Sequence, residues 1–164
     1  SYGRTSRFGV EADAAVTPTT GLTLSAGIVW LASELRGGTY DGSPIPGTTP
    51  VSVRLQATWQ PCDRVQIALR GRTSLDRSLI SDWQDVQPAW DDDFVVFDST
   101  LTWEVTEHVR IYGGCNNLFD ERYAEYGVAT AGPDFTQGTF DDVARVYPSP
   151  AREFFAGVRL HWAF

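Results

Sequence analysis

The sequence predicts an all-β fold, an antiparallel transmembrane β-barrel segment of about seven strands. Apolar and polar residues alternate in seven stretches, and successive side chains of a strand point to opposite faces. The connections between these stretches are alternately short and long, which is typical of membrane barrels. Tryptophans of the apolar register recur near the short connections, at Trp59, Trp103 and Trp162, where an interfacial aromatic girdle is expected.

The first two predicted strands cover 7–17 and 22–34. The apolar face of the first carries Phe8, Val10, Ala12, Ala14 and Val16. The apolar face of the second carries Leu22, Leu24, Ala26, Ile28 and Trp30. The sequence Pro-Thr-Thr-Gly at 18–21 predicts a tight turn between them. A loop at 36–50 follows, rich in Gly, Pro, Ser and Thr.

The third predicted strand, 51–60, has the most regular alternation, and the fourth covers 65–73. A short turn at 61–64 joins them, and a long loop at 74–93 follows. Three arginines, Arg54, Arg70 and Arg72, occupy the polar register of these neighbouring strands. The alternation therefore predicts that the three guanidinium groups share the inner face of the barrel wall, nearer the long-loop rim.

The fifth and sixth predicted strands cover 94–105 and 109–117, joined by a turn at 106–108. The longest predicted loop, 118–151, separates them from a closing strand at 153–164. The even positions of this last strand are all apolar: Phe154, Ala156, Val158, Leu160, Trp162 and Phe164. A strand with one apolar face and an aromatic end is expected to lie with that face in lipid.

Composition excludes several classes of function. The formal net charge of -8 argues against a nucleic-acid partner, and no apolar run is long enough for a membrane-spanning helix. The two cysteines, Cys62 and Cys115, match no metal or redox spacing and are predicted to be separate thiols. Neither the acidic run 91–93 nor His108 with His161 predicts a metal site. No catalytic constellation occurs, so no enzymatic activity and no cofactor are predicted.

The strand count predicts that this chain is part of a larger barrel. Bacterial outer-membrane barrels use an even number of strands from eight upward. Seven strands would leave an open edge whose unpaired backbone groups each cost several kcal/mol in lipid. The chain also starts at Ser1 without a signal peptide, which fits the same expectation.

One string is specific enough to indicate a family. The sequence Asn117-Leu118-Phe119-Asp120-Glu121-Arg122-Tyr123 resembles the Asn-Leu-Phe-Asp-x-x-Tyr signature of TonB-dependent outer-membrane receptors. The flanking stretches 106–112 and 150–158 resemble the turn before this signature and the entry to the last strand, where Ala151 replaces the usual Gly. The layout of 21–27 and 41–50 also matches, so the resemblance covers nearly the whole chain.

The resemblance implies a 22-stranded barrel with an amino-terminal plug domain. Residues 1–164 would be its carboxy-terminal part, without plug or TonB box. The receptor would import a scarce ligand, such as a ferric siderophore or a similar iron complex, across a Gram-negative outer membrane with energy from TonB. Its implied partners are the remaining strands and plug, the TonB complex, the outer-membrane assembly machinery, lipid with lipopolysaccharide, and the small-molecule ligand.

Two sets of residues are candidates for function, each with a simpler explanation. The assembly signal of outer-membrane proteins is resembled by Gly157, Leu160, Trp162 and Phe164, although Phe155 replaces its usual polar residue. The alternative is that these residues are simply part of a lipid-facing strand. Arg54, Arg70 and Arg72 suit an anionic ligand, because arginine offers planar, bidentate donors. The alternative is that they pair with carboxylates of the plug or the wall.

Two other folds remain open at this point. A soluble all-β ligand-binding module with an aromatic-rich face would also show alternating strands. A small self-closing membrane barrel is disfavoured by the odd strand count. Aromatic residues in the long loops, including Tyr40, Trp83, Trp90, Tyr126 and Phe135, could stack on a ligand, since loops often carry binding function.

Overall fold

The computed structural model describes residues 4–80, 82, 93–130 and 143–162, and its described elements are all β-strands. No helix long and apolar enough to cross a bilayer occurs among these residues. The strands are β1 (Arg4–Thr19), β2 (Leu22–Arg36), β3 (Val51–Cys62), β4 (Val65–Leu75), β5 (Phe94–Thr106), β6 (Val109–Asn116), β7 (Ala124–Thr130), β8 (Val143–Pro148) and β9 (Glu153–Leu160).

Seven of the strands form one antiparallel sheet in the order β1-β2-β3-β4-β5-β6-β9. Consecutive strands are neighbours except that β9 pairs with β6, and β7 and β8 form a separate hairpin. Within the described residues the outer edges of β1 and β9 have no partner strand, so the sheet is open. The prediction of seven strands of a membrane-barrel wall is confirmed.

The short connections are tighter than predicted. Only 20–21, 63–64 and 107–108 separate the paired strands at this rim. At this rim β1 continues through Pro18 and β3 continues through Pro61, two residues that the sequence predicted to lie in turns. Register shifts at Val16/Thr19 and Trp59/Cys62 accommodate the prolines, because proline has no N–H for the ladder and is tolerated at a bulge.

The closing strand is shorter than predicted. It ends at Leu160, which is paired with Val109, the first residue of β6. The His161 N–H still donates to the carbonyl of His108 at 3.0 Å. Beyond this point β6 offers no further backbone, because the chain turns at 107–108. Trp162 therefore lies past the strand end, and Phe164 lies outside the described residues.

The register aligns the predicted apolar rows across the sheet. Val10 pairs with Trp30, Ile28 with Val53, and Ile67 with both Trp59 and Leu101. Apart from the half-buried Val53, these side chains are exposed, as are Phe8 at 65%, Trp103 at 48% and Trp162 at 62%. A contiguous exposed apolar face of this extent is unusual for a protein in water. It matches the lipid-facing band that the alternation predicts.

An arginine at Leu55, near the middle of β3, is expected to destabilise the folded receptor strongly. Leu55 pairs with Ala26 and Gly71 on the apolar face and is 47% exposed. A lipid-facing Arg at mid-bilayer costs about 2–4 kcal/mol. The check is the folded fraction of the full-length receptor in lipid vesicles during urea titration. Gln56→Arg, at the neighbouring position on the polar face, is the control. An equal loss of stability in both variants would contradict a lipid-facing Leu55.

The buried core lies at the long-loop end of the sheet and not between two layers. Its apolar members include Val96 at 1% exposure, Phe94, Leu79, Leu35 and Ala129. Val96 pairs with Arg72, so it belongs to the polar face of the sheet. The long loops and the β7–β8 hairpin therefore cover this end of the polar face. They bury side chains such as Val96, which the strand pattern alone would leave exposed.

Candidate functional site

A cavity of about 570 Å³ lies on the polar face of β1 to β5. The three predicted arginines all line it, together with Asp13, Ser25, Gln56 and Asp98. Arg54 is directly opposite Arg72, and Arg70 lies between Gln56 and Asp98 in the register. The structure therefore brings Arg54, Arg70 and Arg72 together, as the alternation predicts.

The three arginines differ in their partners. Arg54 reaches across to β1, where its Nη2 lies 3.3 Å from Glu11 Oε1. Arg72 forms an ion pair with Glu125 and donates to the Tyr123 hydroxyl at 2.8 Å. No described residue pairs with the Arg70 guanidinium, and neighbouring Asp98 accepts the Asn117 N–H at 2.8 Å. Wall carboxylates thus engage two of the three cations and leave Arg70 available.

Arg72 also belongs to an aromatic cluster that ties the long connections to the wall. Its guanidinium carbon lies 5.5 Å from the ring centres of both Phe94 and Tyr123, and Arg77 lies 5.6 Å from Phe94. The two rings are 4.7 Å apart. Such cation–π contacts add to the ion pair with Glu125. The cluster joins β4, β5 and the start of the β7–β8 hairpin.

Asn117 of the family motif is a buried backbone anchor. It has a φ of 52° and is 3% exposed; asparagine is among the few residues that adopt this left-handed conformation readily. Its side-chain oxygen accepts the Glu121 N–H at 2.8 Å, and its Nδ2 donates to the carbonyls of Glu121 at 2.9 Å and Pro150 at 3.3 Å. One side chain therefore holds together both ends of the connection between β6 and β9.

The rest of the motif strengthens the same anchor. Asp120, with a φ of 59°, accepts the Arg152 N–H at 2.9 Å. Leu118 donates its N–H to Phe97 O at 2.7 Å, and Phe119 packs edge-to-face on Phe97 with ring centres 5.6 Å apart. Asn117, Leu118, Phe119 and Asp120 thus close the base of the long connection, while Tyr123 links it to Arg72. The motif is visible in the sequence, but this anchoring role is not.

The predicted loop 118–151 contains the β7–β8 hairpin, which corrects that prediction. The loop after β4 extends the hairpin: the Ile80 N–H donates to Gly127 O at 3.0 Å, and the Ala129 N–H donates to Ile80 O at 2.8 Å. Ser78 in turn donates to Thr48 O at 3.2 Å. The three long connections are therefore bonded together, through pairings between segments distant in sequence.

The terminal strand interlocks with β6 through two reciprocal aromatic–glycine pairs. Tyr112 of β6 lies over Gly157 of β9, and Phe155 of β9 lies over Gly114 of β6. A Cβ at Gly114 would come within 2.6 Å of Phe155 Cζ. Phe155, the departure from the assembly-signal pattern, thus fills the space above a glycine. Leu160 and Trp162 are exposed at 53% and 62%.

The cysteines, the histidines and the acidic run of the sequence were also considered as possible sites. The thiols of Cys62 and Cys115 are both free, as predicted. His108, just before β6, and His161, just after β9, are joined by a backbone hydrogen bond, although they are distant in sequence. Within the described ranges, no group of three or more His, Cys, Asp or Glu residues could hold a metal ion. Of the acidic run, Asp93 accepts the Asp76 N–H at 2.8 Å, and 91–92 lie outside the described residues.

Comparison with family models matches residues 1–118 to the model described as "TonB dependent receptor-like, beta-barrel". A curated relative is the iron-regulated outer membrane virulence protein of Vibrio cholerae, 26% identical over 137 residues. That alignment covers 80% of this chain and 20% of the relative. The chain therefore spans about a fifth of the curated relatives it matches.

Solved structures share the fold. The siderophore receptor PiuA from Acinetobacter baumannii aligns over 95% of this chain and 22% of its own, with a TM-score of 0.71 and 20% identity. The ferric yersiniabactin uptake receptor FyuA from Yersinia pestis aligns over 97% and 24%, with a TM-score of 0.75 and 19% identity. At these identities the likeness establishes the fold alone.

Proposed function

The chain belongs to the TonB-dependent receptor β-barrel family of the Gram-negative outer membrane, and from this we propose that it is the carboxy-terminal wall of a receptor importing an anionic iron complex. Residues 1–164 would supply the last strands of a 22-stranded barrel and three outer connections. The rest of the receptor would supply the remaining strands, the plug and the TonB box. The exposed apolar face and the family together leave no support for a soluble binding module.

The observation that carries the proposal is the Arg70 guanidinium on the polar face. It lines the 570 Å³ cavity together with Arg54 and Arg72 and has no partner among the described residues. A ferric complex bearing carboxylate, hydroxamate or phenolate oxygens would offer the acceptors that guanidinium binds best. The curated relative is described as iron-regulated, and two solved structures of the same fold are described as a siderophore receptor and a ferric yersiniabactin uptake receptor; these descriptions support the same ligand class.

The remaining partners follow from the same proposal. TonB would energise transport through the amino-terminal part of the receptor. The assembly machinery would read β9 with Gly157, Leu160 and Trp162, and Phe164 would complete that signal. Lipid and lipopolysaccharide would surround the apolar face. We propose no catalytic role for the chain, because the family model that it matches describes a receptor barrel.

Arg70→Gln is expected to weaken binding of the ferric complex by about tenfold to a hundredfold, since a hydrogen bond to a charged group contributes about 1.5–3 kcal/mol. The measurement is the affinity of the purified full-length receptor for ferric citrate, a ferric trihydroxamate and a ferric tris-catecholate. The best-bound of the three is then used for the variants.

Arg54→Gln is the matched control, because Glu11 already engages that side chain. We expect a smaller loss of affinity for this variant. Unchanged binding by Arg70→Gln, with a native circular dichroism spectrum, would refute a ligand role for Arg70. A larger loss for Arg54→Gln would show that the wall pairing opens when the ligand binds.

A further inference from the structure

Asp98 of β5 lies directly opposite Arg70 of β4, and both residues line the 570 Å³ cavity. Side chains that face each other in this way have Cβ atoms about 5 Å apart, and opposite charges at such positions normally attract. Among the described residues, however, neither Asp98 nor any other carboxylate forms an ion pair with Arg70. Two neighbouring opposite charges that do not pair require a physical explanation.

The explanation is a hydrogen bond on the other side of β5. The strand order places β4 along one edge of β5 and β6 along the opposite edge. Asn117 follows directly after β6, and its N–H donates to Asp98 Oδ1 at 2.8 Å. A hydrogen bond to an ionised carboxylate is about twice as strong as one between neutral groups. The Asp98 carboxylate is therefore held toward β6 and away from Arg70.

The donor of this hydrogen bond is fixed in place. Asn117 is 3% exposed, and its side chain makes three hydrogen bonds that hold together both ends of the connection between β6 and β9. The following N–H, from Leu118, donates to the Phe97 carbonyl at 2.7 Å. Two successive N–H groups thus bind the turn to β5. The orientation of Asp98 is therefore set by the family motif.

The cavity consequently has no excess of positive charge. Its three arginines are accompanied by four carboxylates, namely Asp13 and Asp98 in the lining, Glu11 beside Arg54, and Glu125 beside Arg72. Arg70 can bind an anionic oxygen of a ligand, but Asp98 stands beside it and is paired with no described cation. A ligand that brings several negative charges to this position is repelled by Asp98.

We propose that Asp98 determines the charge selectivity of this cavity. The cavity accepts ferric complexes whose anionic oxygens leave little net negative charge, and it disfavours trianionic complexes. Arg70 binds a carboxylate or hydroxamate oxygen, while Asp98 limits the charge that accompanies it. This inference rests on the proposed function and narrows its ligand class, because an uncharged ferric trihydroxamate is favoured over a trianionic ferric tris-catecholate.

Asp98→Asn tests this role, because it removes the charge and keeps an oxygen that can accept the Asn117 N–H. The measurement is the affinity of the purified full-length receptor for the trihydroxamate and for the tris-catecholate. The variant should bind the tris-catecholate roughly tenfold more tightly, since a repulsive charge is lost, and the trihydroxamate within about twofold of wild type. An unchanged ratio of the two affinities would overturn the proposal.

Asp13→Asn is the matched control, because Asp13 lines the same cavity but lies on β1, three strands from Arg70. Neighbouring strands are about 4.8 Å apart, so this carboxylate lies about 14 Å from Arg70 across the sheet. Salt screens charges at such a distance, and the affinity ratio should change much less. An equal change for both variants would indicate a general effect of net charge and would contradict a specific role for Asp98.

Asp98→Ala separates selectivity from stability. It removes the acceptor of the Asn117 N–H, so its midpoint in urea should fall below that of Asp98→Asn. Its affinity ratio should nevertheless shift in the same direction as that of Asp98→Asn, which a merely structural role would not cause. A ratio equal to that of wild type, in receptor shown to be folded by circular dichroism, would count against the proposal.

The wild-type receptor provides a measurement that needs no substitution. It should bind the trihydroxamate more tightly than the tris-catecholate, and the reverse order would overturn the proposal even if the variants failed to fold. A receptor that binds neither complex, nor ferric citrate, would refute the iron-complex function together with this inference. Binding with an affinity ratio insensitive to Asp98→Asn would refute this inference alone.

Discussion

Replacing Gly114 with alanine is expected to prevent stable pairing of the terminal strand with β6. The added methyl would stand inside van der Waals contact of the Ser99 carbonyl oxygen and 2.6 Å from Phe155 Cζ. Phe155 can rotate away, but Ser99 contributes backbone of the neighbouring strand β5. The β5–β6–β9 region must therefore distort, at a cost of about 1–3 kcal/mol or more, as in overpacked cores.

The measurement is the yield of heat-modifiable, folded full-length receptor in outer membranes and its midpoint in urea. Gly113→Ala is the matched control, because its nearest contact would be Phe155 O at 3.1 Å, a strain that a small shift relieves. A second variant, Gly114→Ala with Phe155→Ala, should recover only part of the loss, since the Ser99 contact remains. Equal yields for Gly113→Ala and Gly114→Ala would contradict the expected clash.

Asn117→Ala is expected to destabilise the base of the connection between β6 and β9 by about 2.5–6.5 kcal/mol. Three lost hydrogen bonds contribute about 0.5–1.5 kcal/mol each, and the left-handed conformation of alanine adds about 1–2 kcal/mol. The side chain makes three hydrogen bonds, to Glu121 N–H, Glu121 O and Pro150 O. Their loss should loosen the entry to β9 and raise protease sensitivity around 118–152. Limited proteolysis of the full-length receptor in vesicles, with urea unfolding, measures both effects.

Asn117→Gly separates the two causes. Glycine adopts the positive φ without strain but cannot make the side-chain hydrogen bonds. We expect Asn117→Gly to lie between wild type and Asn117→Ala in stability. If glycine restores wild-type protection, the motif asparagine is required only for backbone conformation, and the proposed anchoring of Pro150 is wrong.

The fold was largely predictable because strand periodicity is local. Every apolar row found in the sequence recurs as a row across the sheet, for example Ala12 with Ile28 and Ile28 with Val53. Strand ends were less predictable, since Pro18 and Pro61 read as turns but are absorbed by bulges. The β7–β8 hairpin escaped detection because its strands are short and partly held by Ile80 from another loop.

The candidate site was predictable in position but not in pairing. Alternation placed Arg54, Arg70 and Arg72 on one face, as the register bears out. It could not identify Glu11 or Glu125 as partners, because these carboxylates lie on β1 and on the hairpin, 43 and 53 residues away along the chain. Which arginine stays available is therefore a property of the assembled wall.

Taken by itself, the sequence determined the seven strands of the large sheet, their two faces, the membrane class and the family. Each depends on local side-chain alternation or on a contiguous motif. Tertiary structure alone decided that Asn117 joins the two ends of a long connection, that Phe155 fills the space above Gly114, and that Arg70 has no ion-pair partner among the described wall residues. The reason is physical: antiparallel pairing brings together residues remote in sequence, and the register sets which charges meet.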